Sequence, residues 1–333
     1  MSFTDPLFLS HLANFIVHGV SAFYSGMLMG KVSDAQKYSL TEVKELRTAV
    51  ANSSDILTYP VQAVTEGTFY NINPMTQILI MNLIVMLTMV LHIVRTFNKD
   101  VRDSVTYKGN SGIVLQALHI ASYGYSHFLA IFLVFLIAGY RDTLSMLQIF
   151  VSVIGLEALQ HFSANPNPPD LKLKDLSRTF IGVFAGAPTL VVAIMIAVAI
   201  GNRDLPNGGW GLIALIVLEG LKFAVQTLPF IRDLVGDARV AHAYHDALIK
   251  VFLVWFLLLQ SLQQQGGIDG EADLSVQYTA VGYTGVAIFA VYFIYVVLGL
   301  LGVVPKISTP SEEDKEDFPS ATMEEKSRML QVA

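Results

Sequence analysis

Lys250 lies near the middle of an apolar run, Val240 to Leu262 (VAHAYHDALIKVFLVWFLLLQSL), long enough to cross a bilayer as a helix. A lysine at that depth is expensive, so it is by default a candidate functional residue. Asp246 stands four positions earlier, one helical turn away on the same face. Two chemistries fit this spacing. The amine and the carboxylate can form a buried ion pair, as inside a transporter bundle. Alternatively the amine can condense with an aldehyde and carry a cationic imine, with Asp246 as its counterion. Trp255, five positions after the lysine, supplies a large apolar wall beside either arrangement.

Other polar residues fall within apolar runs. Ser122 and Ser126 are a turn apart in a segment that also holds His119, Tyr123, Tyr125 and His127. They can hydrogen-bond the lysine region or simply make helix–helix contacts. His18, His92, His242 and His245 can form a titratable network, since imidazoles change charge near neutral pH, or can be satisfied core histidines. Glu157, Glu219 and Lys222 are further intramembrane ionisable groups; Glu219 and Lys222, three apart, can pair or can line an ion path. Phe223 and Phe256 join Trp255 as candidate pocket walls. The histidines have no close spacing that compels a metal site, and no nucleophile motif, phosphate loop or soluble catalytic domain points to an enzyme.

The elements that must position these groups are membrane helices. The chain has 333 residues, 53% of them hydrophobic and 14% charged, with a mean hydropathy of +0.54, the profile of a polytopic membrane protein. It has no cysteine, which excludes disulfides and thiol chemistry. Spanning segments are expected over 7–29, 76–97, 113–139, 143–162, 177–201, 209–231, 239–263 and 278–304. Each is read as a helix, because period-two alternation of the barrel kind is absent. The first lacks a basic leader and cleavage site and reads as a retained helix. The interval 30–75 is too long for a simple connection and is expected to carry structure of its own. Thirteen lysines and arginines fall on the side shared by the N-terminus, the second, fourth and sixth connections and the tail, against six on the other. Both termini are therefore expected in the cytoplasm, with 30–75 outside. The tail beyond 305 is polar and acidic and reads as disordered.

Taken together, these features resemble a microbial rhodopsin of the heliorhodopsin branch. The segment ANFIVH ending at His18 is similar to that family's histidine-bearing stretch, and LTMVLH ending at His92 to a second one. Gly182, Ala185 and Gly186 match a GxxAG pattern, Phe223 to Gln226 resembles a FALVQ segment, and the Lys250-to-Trp255 spacing agrees. The resemblance covers about residues 10–262. It implies an all-α polytopic fold: a seven-helix bundle over 1–263, followed by an additional eighth helix within 264–305 and the tail 306–333. It also implies all-trans retinal on Lys250, a binding region of Asp246, Ser122, Tyr123, Ser126, Trp255 and Phe223, and a proton network of His18, His92, His245 and Glu219. A homodimer in a lipid bilayer and a cytoplasmic signalling partner are expected; nucleic acid is not. The departures are informative. Ser122, Tyr123 and Gly124 stand where the family has a glutamate followed by Tyr-Ser, and Asp246 stands where it has a small polar residue. The carboxylate has moved from the third helix to the seventh. Light sensing is the leading expectation, with a light-driven or light-gated ion transporter and a retinal-free transporter as alternatives.

Overall fold

The computed structural model describes residues 6–47, 61–97, 110–139 and 238–301, with 141, 143, 146, 147, 149–151, 153, 213, 214, 217, 218, 220 and 221. The described elements run in order as α1 (Pro6–Leu28), two 3₁₀ turns (Met29–Lys31 and Asp34–Gln36), β1 (Tyr38–Arg47), β2 (Val61–Ile72), α2 (Pro74–Phe97) and α3 (Asn110–Ala138). Then follow α4 (Ala238–Ala247), a π-helical turn (Leu248–Leu253), α5 (Val254–Gln264) and α6 (Ser275–Leu300). Among the described residues, five helices are long and apolar enough to cross a membrane: Phe8–Lys31, Pro74–Leu91, Ala121–Ala138, Ala243–Gln264 and Ser275–Leu298. They correspond to the first, second, third, seventh and eighth expected segments. The fourth to sixth segments lie largely outside the described residues.

Local chemistry sets the helix ends. Asn73 caps α2: its Oδ1 accepts from the Met75 amide at 3.0 Å, its Nδ2 donates to the Met29 carbonyl at 3.0 Å, and Pro74 opens the helix where no amide is needed. Asp273 plays the same part for α6, accepting from the Ser275 amide at 2.9 Å. Helix α5 ends in Gly266 and Gly267, both at positive φ, with the Gly267 amide returning to the Leu262 carbonyl at 2.9 Å. A Cβ at Gly267 would collide with the Glu271 carbonyl. Only glycine fits this turn.

Helix α3 is central. Every residue from Leu129 to Ala138 is buried, as expected of a helix that is hydrophobic all round. Helix α1 packs on α2 and α4, α2 on α3, and α5 on α3 and α6. Helix α6 flanks the group and presents Val276, Tyr283, Val286, Val291, Phe293 and Ile294 outward.

Within 30–75, the interval expected to carry structure of its own, the described residues add a strand pair to the helical architecture. Strands β1 and β2 pair antiparallel from Tyr38↔Ile72 to Arg47↔Val61, with irregularities at Leu40/Thr41 and Thr41/Glu42. The physical reason is composition: Val61, Val64, Thr65, Thr68, Phe69, Tyr70 and Ile72 are β-branched or aromatic and suit an extended chain. The base of this hairpin is tied to the end of α5. Tyr38 Oη and Ser261 Oγ are 3.0 Å apart, and the Gln36 side chain donates to the Gly267 carbonyl.

Candidate functional site

The site is built where the lysine helix meets α1, α2 and α3. Lys250 is fully buried, inside the π-helical turn. The turn shows in the backbone: the Val254 amide donates to the Ile249 carbonyl, five residues back instead of four. Lys250 Nζ lies 2.7 Å from Asp246 Oδ1, with the carboxylate only 3% exposed. The same ammonium donates to Ser126 Oγ on α3 at 2.7 Å. Ser126 in turn donates to the Tyr123 carbonyl at 3.0 Å, which leaves a lone pair aimed at the lysine. The Tyr123 ring stands beside the ammonium, 5.4 Å from nitrogen to centroid, within cation–π range.

A second cluster adjoins it on α1 and α2. Asn82 Nδ2 donates to the Ile78 carbonyl and to Ser21 Oγ, both at 2.8 Å. The amide nitrogen is thereby committed, so the oxygen faces His18 and His18 Nδ1 donates to it at 2.6 Å. Nε2 is left as the bare ring nitrogen; it is buried and has no hydrogen-bond partner among the described residues. Trp255 Nε1 donates to Ser21 Oγ at 2.6 Å, and its ring packs at 5.5 Å against Tyr24. Three helices thus share one polar junction: α1 through His18 and Ser21, α2 through Asn82, and α5 through Trp255.

The expected site residues are distributed as follows. Lys250, Asp246, Ser126 and Tyr123 meet at one point. Trp255 and His18 belong to the adjoining junction. Ser122 faces α2, its Oγ 2.8 Å from Thr88 Oγ1, whose own proton goes to the Ile84 carbonyl. Of the two serines expected near the lysine, Ser126 makes the 2.7 Å contact with it. The His245 ring meets Tyr292 of α6 edge-on at 5.7 Å. Phe223 and Glu219, with Glu157 and Lys222, lie outside the described residues, as do the side chains of His92 and His242.

Sequence reasoning missed Asn82, Ser21, Thr88 and Tyr292. Asn82 carried a usable signal, being an amide in the middle of an apolar run. Asn14 is similar; its side-chain nitrogen donates to the Ala243 carbonyl at 3.2 Å and so ties α1 to α4. Among the described residues, no group of three or more histidines and carboxylates is placed to hold a metal ion.

This arrangement gives a buried nitrogen at Lys250 one anionic partner and one hydroxyl acceptor, which together fix its direction. No protein-family model matches the chain, and no curated protein matches it.

Proposed function

We propose that the protein is a retinal-binding, light-sensing membrane protein of heliorhodopsin type, with the chromophore on Lys250 and Asp246 as counterion. The observation that carries this reading is a wholly buried lysine with a carboxylate and a hydroxyl both at 2.7 Å from its nitrogen. The donor set fits such a group: a primary amine for attachment, one anion for its charge, one acceptor for its N–H, and the aromatic faces of Tyr123 and Trp255 nearby. Retinal, when bound, supplies light absorption and isomerisation. The chain's own residues do the rest. Asp246 holds the positive charge at the Lys250 nitrogen, and Ser126 fixes the direction of its N–H. Both termini lie in the cytoplasm in this reading, and a dimer and a cytoplasmic partner go with it.

One observation favours ion transport on the same scaffold. His11, Asn14, His18, Ser21 and Ser25 recur at intervals of three and four along α1 and are all buried, so one polar stripe runs through most of the helix. Photocurrents in voltage-clamped cells separate transport from sensing.

The decisive experiment is the absorption spectrum of the full chain expressed with all-trans retinal, beside Lys250→Ala. A visible band lost in the variant supports the proposal. Absence of a band in both proteins removes it and leaves Lys250 and Asp246 as a buried ion pair.

A further inference from the structure

The lysine helix is gripped from both sides at its π turn. Inward, Lys250 reaches Asp246 and Ser126. Outward, Phe252 and Phe256 press into α6. A Cβ at Gly285 would stand 2.9 Å from Phe252 Cβ, and one at Gly282 would stand 3.1 Å from two ring carbons of Phe256. The two phenylalanines therefore occupy notches with no room for a methyl group at Gly285 and almost none at Gly282. Further along, Tyr292 stacks on Tyr244 with centroids 4.8 Å apart and receives His245, the neighbour of Asp246, on its edge. Helix α6 thus bridges the π turn from Tyr244 to Phe256.

A π turn holds one residue more than an α turn and persists where its surroundings offset its cost. Returning it to α geometry would rotate the following residues by about 100° relative to the preceding ones. Phe252 and Phe256 would then leave their notches. The inner contacts and the outer contacts support the same turn, so each depends on the other.

We propose that the π turn Leu248–Leu253 is a two-state joint that couples the Lys250–Asp246 pair to the position of α6. With the pair intact, the phenylalanines are seated on Gly282 and Gly285. With the pair broken, the turn relaxes toward α geometry and α6 shifts. Such coupling is reciprocal, so unseating α6 also disturbs the pair. The inference goes beyond the retinal reading and stands on the packing of the lysine helix alone.

The absence of cysteine makes the test direct. Spin labels are placed at Leu87→Cys on α2 and Val291→Cys on α6, both exposed positions. The interspin distance is measured by pulsed electron paramagnetic resonance on the full chain in lipid bilayers without retinal. Asp246→Asn and Lys250→Met are each expected to shift the distance distribution. Asp246→Glu, which keeps the carboxylate, returns it toward the parent. Phe252→Ala combined with Phe256→Ala abolishes the shift caused by Asp246→Asn. Gly285→Ala, which leaves the pair's own residues in place, is expected to shift the distribution as well. Parent distributions in Asp246→Asn, Lys250→Met and Gly285→Ala overturn the proposal, as does a shift that survives loss of both phenylalanines. Failure to form a pigment would sink the retinal reading and leave this result intact.

Discussion

Lys250 Nζ donates to Ser126 Oγ at 2.7 Å, joining the lysine helix to α3 across 124 positions of sequence. Ser126 can accept because its own proton is committed to the Tyr123 carbonyl. Ser126→Ala removes the acceptor and leaves a buried N–H without it, at a cost of about 1–3 kcal/mol. Thermal unfolding in detergent is expected to show a lower Tm, with Ser126→Thr close to the parent. An unchanged Tm in Ser126→Ala would mean that the contact contributes nothing to stability.

Breaking the Lys250–Asp246 pair from one side strands a buried charge. Asp246→Leu alone is expected to lose about 3–5 kcal/mol, whereas Asp246→Leu combined with Lys250→Met recovers most of that loss. A double-mutant cycle on the protein without retinal measures it. Additive losses would show that the two groups do not interact.

In the retinal reading, Asp246→Asn removes the proposed counterion and leaves the buried nitrogen without an anionic partner. The absorption band is expected to move to the near ultraviolet at neutral pH and to return toward the visible on acidification. A visible band unchanged at neutral pH would assign the counterion elsewhere.

At the junction of α1, α2 and α5, two substitutions are expected to differ in size. Trp255→Phe deletes one donor to Ser21 and costs about 0.5–1.5 kcal/mol. Asn82→Leu removes the partner of His18 Nδ1 as well as a donor to Ser21, so its loss of Tm is larger. The reverse order would refute the assignment of Asn82 as the hub.

Asp273 gives a pH-dependent prediction. The Ser275 amide and hydroxyl hold this exposed carboxyl below its ordinary value of 3.8. A lowered carboxyl contributes stability above the unfolded value and loses it as pH falls through the folded one. Acidification below about pH 4 is therefore expected to fray the first turn of α6, seen as faster hydrogen exchange at its leading amides once rates are corrected for pH. Asp273→Asn, which keeps an accepting oxygen, is expected to hold that turn without the pH dependence.

What was legible in the sequence was what one helix determines by itself. Runs of apolar residues mark the spans, because a bilayer core of fixed thickness needs a minimum length of apolar helix. The Asp246–Lys250 spacing places both groups on one face, because helical period is a local property. Tyrosine, valine and threonine in 61–72 suit strand structure, although the length of the interval predicts only that it is structured. Whether Ser122 or Ser126 reaches the lysine was not legible. That choice depends on the rotation and axial offset of α3 against the lysine helix, which are set by packing along the whole interface. The same holds for Asn82, which meets His18 and Ser21 only because α1 and α2 bring them to one level. The π turn has no sequence marker at all. Its extra residue is tolerated because Asp246 and Ser126 hold the inside while Gly282 and Gly285 admit Phe256 and Phe252 on the outside. The sequence alone determined which groups could share a helix face; the tertiary structure decided which of them meet, because contacts between helices are fixed by the packing of the whole bundle.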